Sequence, residues 1–196
     1  GIIVKKGTKG KFVGENTNVN IKIKNPESIG LYSEGDLTVK NANITATDGA
    51  INFFANNGTI TAKGGNTETG QKSLLFYTSG SNAKMLIKGS MTSTIKGGSS
   101  PSTRGTAFYY VSPGSSYGSF DTTAIKNYFN TTFRDGTTST LTNLTLKMEE
   151  GSRLFAASNV EMNLSDTDAS NIMSGITGAP NIQKLGNYKT FMLYLS

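Results

Sequence analysis

The chain contains no cysteine and no histidine, and only 16% of its 196 residues are charged. Without cysteine, neither disulfides nor thiolate metal sites can hold the fold, so stability has to come from backbone ladders and side-chain packing. The same absence leaves the redox compartment open. Without histidine, histidine-based triads, zinc sites and imidazole general bases are excluded. No run of residues approaches the length of a membrane-spanning helix, and GIIVKKGTKG (1–10) is too short, and wrongly ordered, for a signal peptide. The chain is therefore expected to be a piece of a longer protein.

What is present is mostly Gly, Ser, Thr and Asn, with hydrophobic residues at only 35%. Disordered segments share that polarity but lack regularly spaced β-branched and aromatic residues, and these recur here from end to end. A sheet-rich extracellular protein fits the mixture. The net charge of +6 invites nucleic acid, which needs lysines clustered on one face among stacking aromatics. Apart from Lys5, Lys6, Lys9 and Lys11 the lysines stand singly, as at Lys40, Lys63, Lys88 and Lys96. They read as a solvated surface that also blocks edge pairing, and no nucleic-acid partner is expected.

Five ten-residue blocks align on their closing small residue: PESIGLYSEG (26–35), GAINFFANNG (49–58), QKSLLFYTSG (71–80), GTAFYYVSPG (105–114) and EGSRLFAASN (150–159). They begin 23, 22, 34 and 45 residues apart, and their sixth place reads Leu31, Phe54, Phe76, Tyr110, Phe155. Period-two segments surround them. Leu37 and Val39, Ile60 and Ala62, Met85 and Ile87, and Val160, Met162 and Leu164 alternate after the blocks. Val19, Ile21 and Ile23, and Leu144, Leu146 and Met148, alternate before them. Asn41, Asn43, Asn56, Asn57, Gly58, Gly64 and Gly65 mark the turns.

A repeat of roughly 22 residues thus holds about three strands. Hairpins of a sandwich do not require the same side-chain type at the same place in every repeat, whereas stacked coils bring equivalent places to about 4.8 Å. The expected fold is all-β, a parallel β-helix, with Leu31, Phe54, Phe76, Tyr110 and Phe155 stacked inside as a structural ladder. Phe53 is expected on the other face. Asn-X-Ser/Thr matches at Asn43, Asn57, Asn130, Asn143 and Asn163 read as products of composition.

Two segments interrupt a single unit spanning 1–196. In 99–140, Asp121 can cap a short helix burying Ala124, Ile125, Tyr128 and Phe129. In 165–180, Ser165 or Asp166 caps a turn or two carrying Ala169, Ile172, Met173 and Ile176, ended by Gly178 and Pro180. Such excursions either carry recognition or cover exposed hydrophobic wall. For recognition, the candidate ligand-binding residues are Arg104, Tyr109, Tyr117, Tyr128 and Arg134, because Tyr and Arg anchor contacts most often.

Carboxylates are sparse. Glycoside chemistry needs two of them within about 5 to 10 Å, or a calcium cluster beside a basic residue. Glu34 and Asp36 read as solvated turn residues and Asp166 as a cap, and the adjacent Glu149 and Glu150 complete no site. Gly-rich KGGNTETGQKS lacks the residue order of a phosphate loop and precedes a strand. No catalytic constellation, metal or cofactor is expected. A polysaccharide lyase or hydrolase on a parallel β-helix is the alternative.

The stretches SEGDLTVKNANITATDGAINFFANNGTITAKGGNTETGQKSLLFYTSG (33–80), GTAFYYVSPGSSYGSFDTTAIKNYFN (105–130) and NIMSGITGAPNIQKLGNYKTFMLYLS (171–196) carry a family likeness. Together they resemble the passenger region of the very large fusobacterial type V outer-membrane autotransporter adhesins. The resemblance implies a right-handed β-helix outside the cell, held at the bacterial surface by a carboxy-terminal β-barrel that is absent from this sequence. It implies a non-enzymatic stalk or contact surface that attaches to a host-cell protein or glycan, or to partner bacteria. A monomer is expected. No ligand motif is shared across that family, so the five candidates rest on residue type alone.

Overall fold

The alternating segments form strands, and each strand pairs with its counterpart a repeat away in sequence. The computed structural model describes residues 1–7, 10–111, 118, 119, 122–158, 160, 161 and 166–193. Sheet 1 contains, in both spatial and chain order, β1 (Ile2–Val4), β3 (Ile29–Ser33), β5 (Ile51–Asn56), β8 (Leu74–Ser79), β11 (Thr106–Val111), β16 (Arg153–Ser158) and β19 (Lys189–Leu193). Every neighbouring pair in it is parallel.

Sheet 2 contains β2 (Lys11–Ile23), β4 (Asp36–Ala46), β6 (Thr59–Ala62), β7 (Gly65–Thr69), β9 (Lys84–Ile87), β10 (Met91–Ile95), β15 (Leu144–Met148) and β18 (Asn181–Lys184). β4 is long enough to pair with β6 through residues 36–39 and with β7 through residues 44–46. Sheet 2 forks there. One limb ends at β9, and the other runs through β10 and β15 to β18. Three faces were expected from the strand count. Two long sheets stand instead, because β2 and β4 run unbroken through the corner, with one register shift between Gly14 and Asn18.

Period-two patterning fills the space between the sheets. Leu37, Val39, Ile44, Ile60, Ala62, Met85, Ile87, Leu144, Leu146 and Met148 are at most 1% exposed. In sheet 1 the register brings Leu31, Phe53, Phe76, Phe108 and Phe155 into one inward row. Phe53 and Phe76 lie 5.4 Å apart at 28°, and Phe76 and Phe108 lie 5.5 Å apart at 31°. Offset stacking of that kind adds to the burial of the rings.

The ladder expected from sequence is therefore corrected at two places. Phe54 and Tyr110 are not members of it; Phe53 and Phe108 are, and Phe54 lies on the opposite face. The number of residues between inner ring and closing glycine varies from block to block, so aligning on that glycine slips the register. One residue of slip exchanges the faces.

The interior also holds a satisfied amide. Asn52 is fully buried; its Nδ2 donates to the Ile44 and Glu68 carbonyls at 3.0 and 3.2 Å, and its Oδ1 accepts from Thr69 Oγ1 at 2.9 Å. It ties sheet 1 to both β4 and β7.

Two helices extend the short limb. α1 (Thr122–Thr132) packs against β9, and α2 (Asp166–Gly175) packs against α1, so helices follow where strands end. α1 buries Ile125, Tyr128 and Phe129. The rings of Phe129 and Phe133 meet Phe108 edge-on at 5.0 and 5.2 Å, and Phe133 meets Phe76 at 5.7 Å. Lys84 Nζ donates to the carbonyls of Thr131 and Arg134 at 2.9 and 3.2 Å, a cation set against the negative end of the helix dipole. Lys88 pairs with Asp135 at 2.6 Å, and Asn143 Nδ2 donates to the Ile87 carbonyl at 2.7 Å. Short strands complete the set: β12 (Gly118–Ser119) pairs parallel with β17 (Val160–Glu161), and β13 (Arg134–Asp135) forms a hairpin with β14 (Thr138–Ser139).

The 99–140 excursion thus needs a narrower boundary, since β11 within it is a strand of sheet 1. Its helix covers the hydrophobic wall. The caps read at Asp121 and Ser165 lie outside the described residues, as do Met162 and Leu164.

Candidate contact groove on sheet 1

In sheet 1, the residue after each inner ring faces outward. Tyr32, Phe54, Tyr77 and Tyr109 pair in register, with ring centroids 5.0, 4.1 and 5.2 Å apart in turn. The first two contacts are edge-on, and Tyr77 and Tyr109 stack at 20°. A second outer column, Ile29, Ile51, Leu74, Thr106 and Arg153, is also in register.

Between the two columns lie Gly30, Asn52, Leu75, Ala107 and Leu154, all buried. Each is followed by a second buried residue, which breaks the period-two rule. Gly30 is required at its place because a Cβ there would meet the Asn52 carbonyl oxygen at 2.7 Å. The columns flank a groove of about 780 Å³ lined by Phe54, Tyr77, Tyr109, Ile29, Ile51, Leu74 and Thr106. That volume falls in the range of small-molecule sites.

The rim of the groove is charged. Turns before β3, β5 and β8 present Glu27, Gly49 and Lys72 at φ of 64°, 92° and 62°. Glycine adopts this left-handed backbone freely, whereas Glu27 and Lys72 do so at a cost of roughly 1 kcal/mol each. Arg104, Ser102 and the buried Arg153 complete the lining. Three cationic side chains therefore face the groove with one carboxylate, Glu27, among the described residues. Burial raises the Tyr77 phenol above its usual range, and the charge Tyr109 would carry raises it further. Tyr77 enters the groove as a neutral ring.

One end of the outer aromatic column is locked. The Tyr32 hydroxyl donates to Glu34 Oε1 and accepts from Asn56 Nδ2 at 2.9 Å, while Lys5 Nζ lies 4.9 Å over the Tyr32 ring. Glu34 also accepts from the Lys6 backbone N–H at 2.9 Å and pairs with Lys5 Nζ at 3.3 Å. The Lys6 N–H first, and the Tyr32 hydroxyl next, pull the Glu34 carboxyl down to about 2. Glu34 is thus no loose turn residue, which corrects the reading of the Glu34 and Asp36 pair; Asp36 alone is exposed.

The five candidate ligand residues separate. Arg104 and Tyr109 both line the groove. Tyr128 is 5% exposed, with its hydroxyl 3.0 Å from Thr78 Oγ1 and its ring edge-on to Phe133, so it serves the core and cannot meet a ligand. Burial pushes its phenol far above the usual value. Arg134 donates to the Thr137 and Thr177 carbonyls at 3.4 and 3.5 Å, joining the β13–β14 turn to the segment after α2, away from the groove. Tyr117 lies outside the described residues. Phe54, Tyr77, Lys72 and Arg153 were missed. The signal for Phe54 was the aromatic pair itself, read with the faces exchanged, whereas Lys72 and Arg153 reach the groove only through the stacking of strands.

Among the described residues no group of acidic side chains is placed to hold a metal ion, and no helix is long and apolar enough to cross a membrane. Comparison with protein-family models, curated proteins and solved structures finds no match to the chain.

Proposed function

We propose that the chain is a stretch of right-handed parallel β-helix from the passenger of a bacterial surface adhesin of the fusobacterial autotransporter type. It is non-enzymatic, lies outside the cell, and is anchored in the parent protein by a carboxy-terminal β-barrel. It forms rigid stalk, and its groove on sheet 1 is a contact surface for a host-cell protein or glycan, or for partner bacteria. Support for the fold comes from the parallel pairing of equivalent places through seven strands of sheet 1. Support for contact comes from one observation: three rings, Phe54, Tyr77 and Tyr109, stand partly exposed along a groove whose rim is charged. Aromatic rings presented this way anchor contacts at low entropic cost.

The test is attachment of beads carrying the purified chain to host epithelial cells and to other bacteria. Tyr77→Ala with Tyr109→Ala is expected to lower attachment severalfold while circular dichroism stays unchanged. Unaltered attachment would leave the segment as stalk alone. Turnover of a polysaccharide by the purified chain would move the reading to a lyase or hydrolase.

A further inference from the structure

Resting on the reading of the groove as a contact surface, we infer that its occupant is an extended protein segment carrying apolar side chains between one basic and one acidic residue. The charges come first. Of the charged residues that line the groove, Arg104 and Arg153 already have interactions of their own. Glu27 and Lys72 remain; both are exposed, and neither has a charged partner among the described residues. The register of Ile29, Ile51 and Leu74 puts Glu27, Gly49 and Lys72 at equivalent places two residues upstream, so Glu27 and Lys72 stand two strand spacings apart, roughly 10 Å, with only a glycine between them.

Both side chains are mounted on hydrogen-bonded turns. The Glu27 N–H donates to the Gly49 carbonyl at 3.1 Å, and the Lys72 N–H donates to the Thr103 carbonyl at 3.0 Å. The left-handed backbone of these turns is one that glycine adopts freely, as Gly49 does, so an acid and a base stand where the turn itself favours neither. A rim that is negative at one end and positive at the other matches a segment of opposite polarity and repels a like-charged one at one end. The floor points to protein. Ile29, Ile51 and Leu74, with the rings of Phe54, Tyr77 and Tyr109, present partly exposed apolar surface that suits aliphatic and aromatic side chains. A neutral or acidic glycan brings no cation for Glu27, whereas one polypeptide supplies both charges and the apolar residues between them. An extended chain advances about 3.3 Å per residue, so a basic and an acidic residue about three places apart span the distance from Glu27 to Lys72.

The experiment follows the fluorescence anisotropy of labelled, end-blocked peptides titrated with the purified chain. All share a Leu-Tyr core, flanked by Lys and Glu, by Lys on both sides, or by Glu on both sides. The mixed peptide is expected to bind about fivefold more tightly than either like-charged one at low salt, and the preference is expected to shrink as salt rises. Charge reversal sharpens the test. Lys72→Glu should move the preference to the doubly basic peptide and Glu27→Lys to the doubly acidic one, each turn having shown that the other's residue fits. The double exchange should restore the mixed preference, because an extended peptide can lie in either direction. Melting temperatures should shift by no more than a few degrees in all of these variants. Equal binding of all the peptides, or tightest binding of a like-charged one by the unaltered chain, would overturn the dipolar segment while sparing the contact reading. No binding of any peptide, with attachment still lost in the Tyr77 and Tyr109 variant, would overturn the protein segment in favour of a glycan. No binding and unaltered attachment would sink both.

Discussion

Two rows of rings run along sheet 1, one residue apart in the chain and on opposite sides of it. Phe53, Phe76 and Phe108 are at most 1% exposed, while Phe54, Tyr77 and Tyr109 keep part of their surface open. Residue type barely distinguishes them. Their surroundings do: the inner rings meet Phe129 of α1 and Phe133 just after it, and the outer rings meet one another and line the groove.

The largest expected effect is on the inner row. Phe76→Ala should destabilise the chain by about 3 to 5 kcal/mol in chemical denaturation, because the ring is enclosed and its neighbours are fixed by the sheet. A loss near that of an exposed site would mean the two rows had been exchanged. Next is Asn52→Ala, which leaves the Ile44 and Glu68 carbonyls and the Thr69 hydroxyl without their amide partner. A loss of about 1 to 3 kcal/mol is expected, read from the same denaturation curves. Tyr77→Ala, one residue from Phe76, should cost only about 1 kcal/mol while removing ligand contact, so the two neighbouring substitutions separate folding from binding.

The smallest effect concerns the locked end of the outer row. Glu34 titrates at about 2 in the folded chain against an ordinary 4.5. Its contribution to stability is therefore complete above pH 4.5 and is lost as pH falls through about 2. Glu34→Gln should flatten the stability profile across that window and lower stability at every pH above it; an identical acid limb in both proteins would show that Lys5, Lys6 and Tyr32 do not hold the carboxylate.

Much of the architecture was readable in the chain, and the reason is periodicity. Leu37 and Val39, Ile60 and Ala62, and Leu144 to Met148 alternate so regularly that strand, face and neighbour follow together. Register in the aromatic blocks was less secure. Where two rings stand side by side, alternation allows either to be inside, and the choice between Phe53 and Phe54 turned on a turn length that differs by one residue. The groove suffered most from this. Arg104 and Tyr109 were found by residue type, but Lys72 and Arg153 come from other repeats, and only the stacking of strands brings them to the same place. Tyr128 and Arg134 misled for the converse reason: hydrogen bonds to Thr78, Thr137 and Thr177 that no local pattern encodes consume their polar atoms.

The shorter limb of sheet 2 has a further consequence. A parallel sheet that simply stopped at β9 would expose a row of unmet amide and carbonyl groups, a template on which any extended chain, including another copy, could add. Here Lys84 and Lys88 hold the helix and hairpin against that edge, and Asn143 occupies the carbonyl of Ile87. The arrangement works as a chain terminator for strand addition. On that limb, self-association by edge growth is blocked by the molecule's own side chains, and the wall can be sticky on its outer face without being sticky at that border.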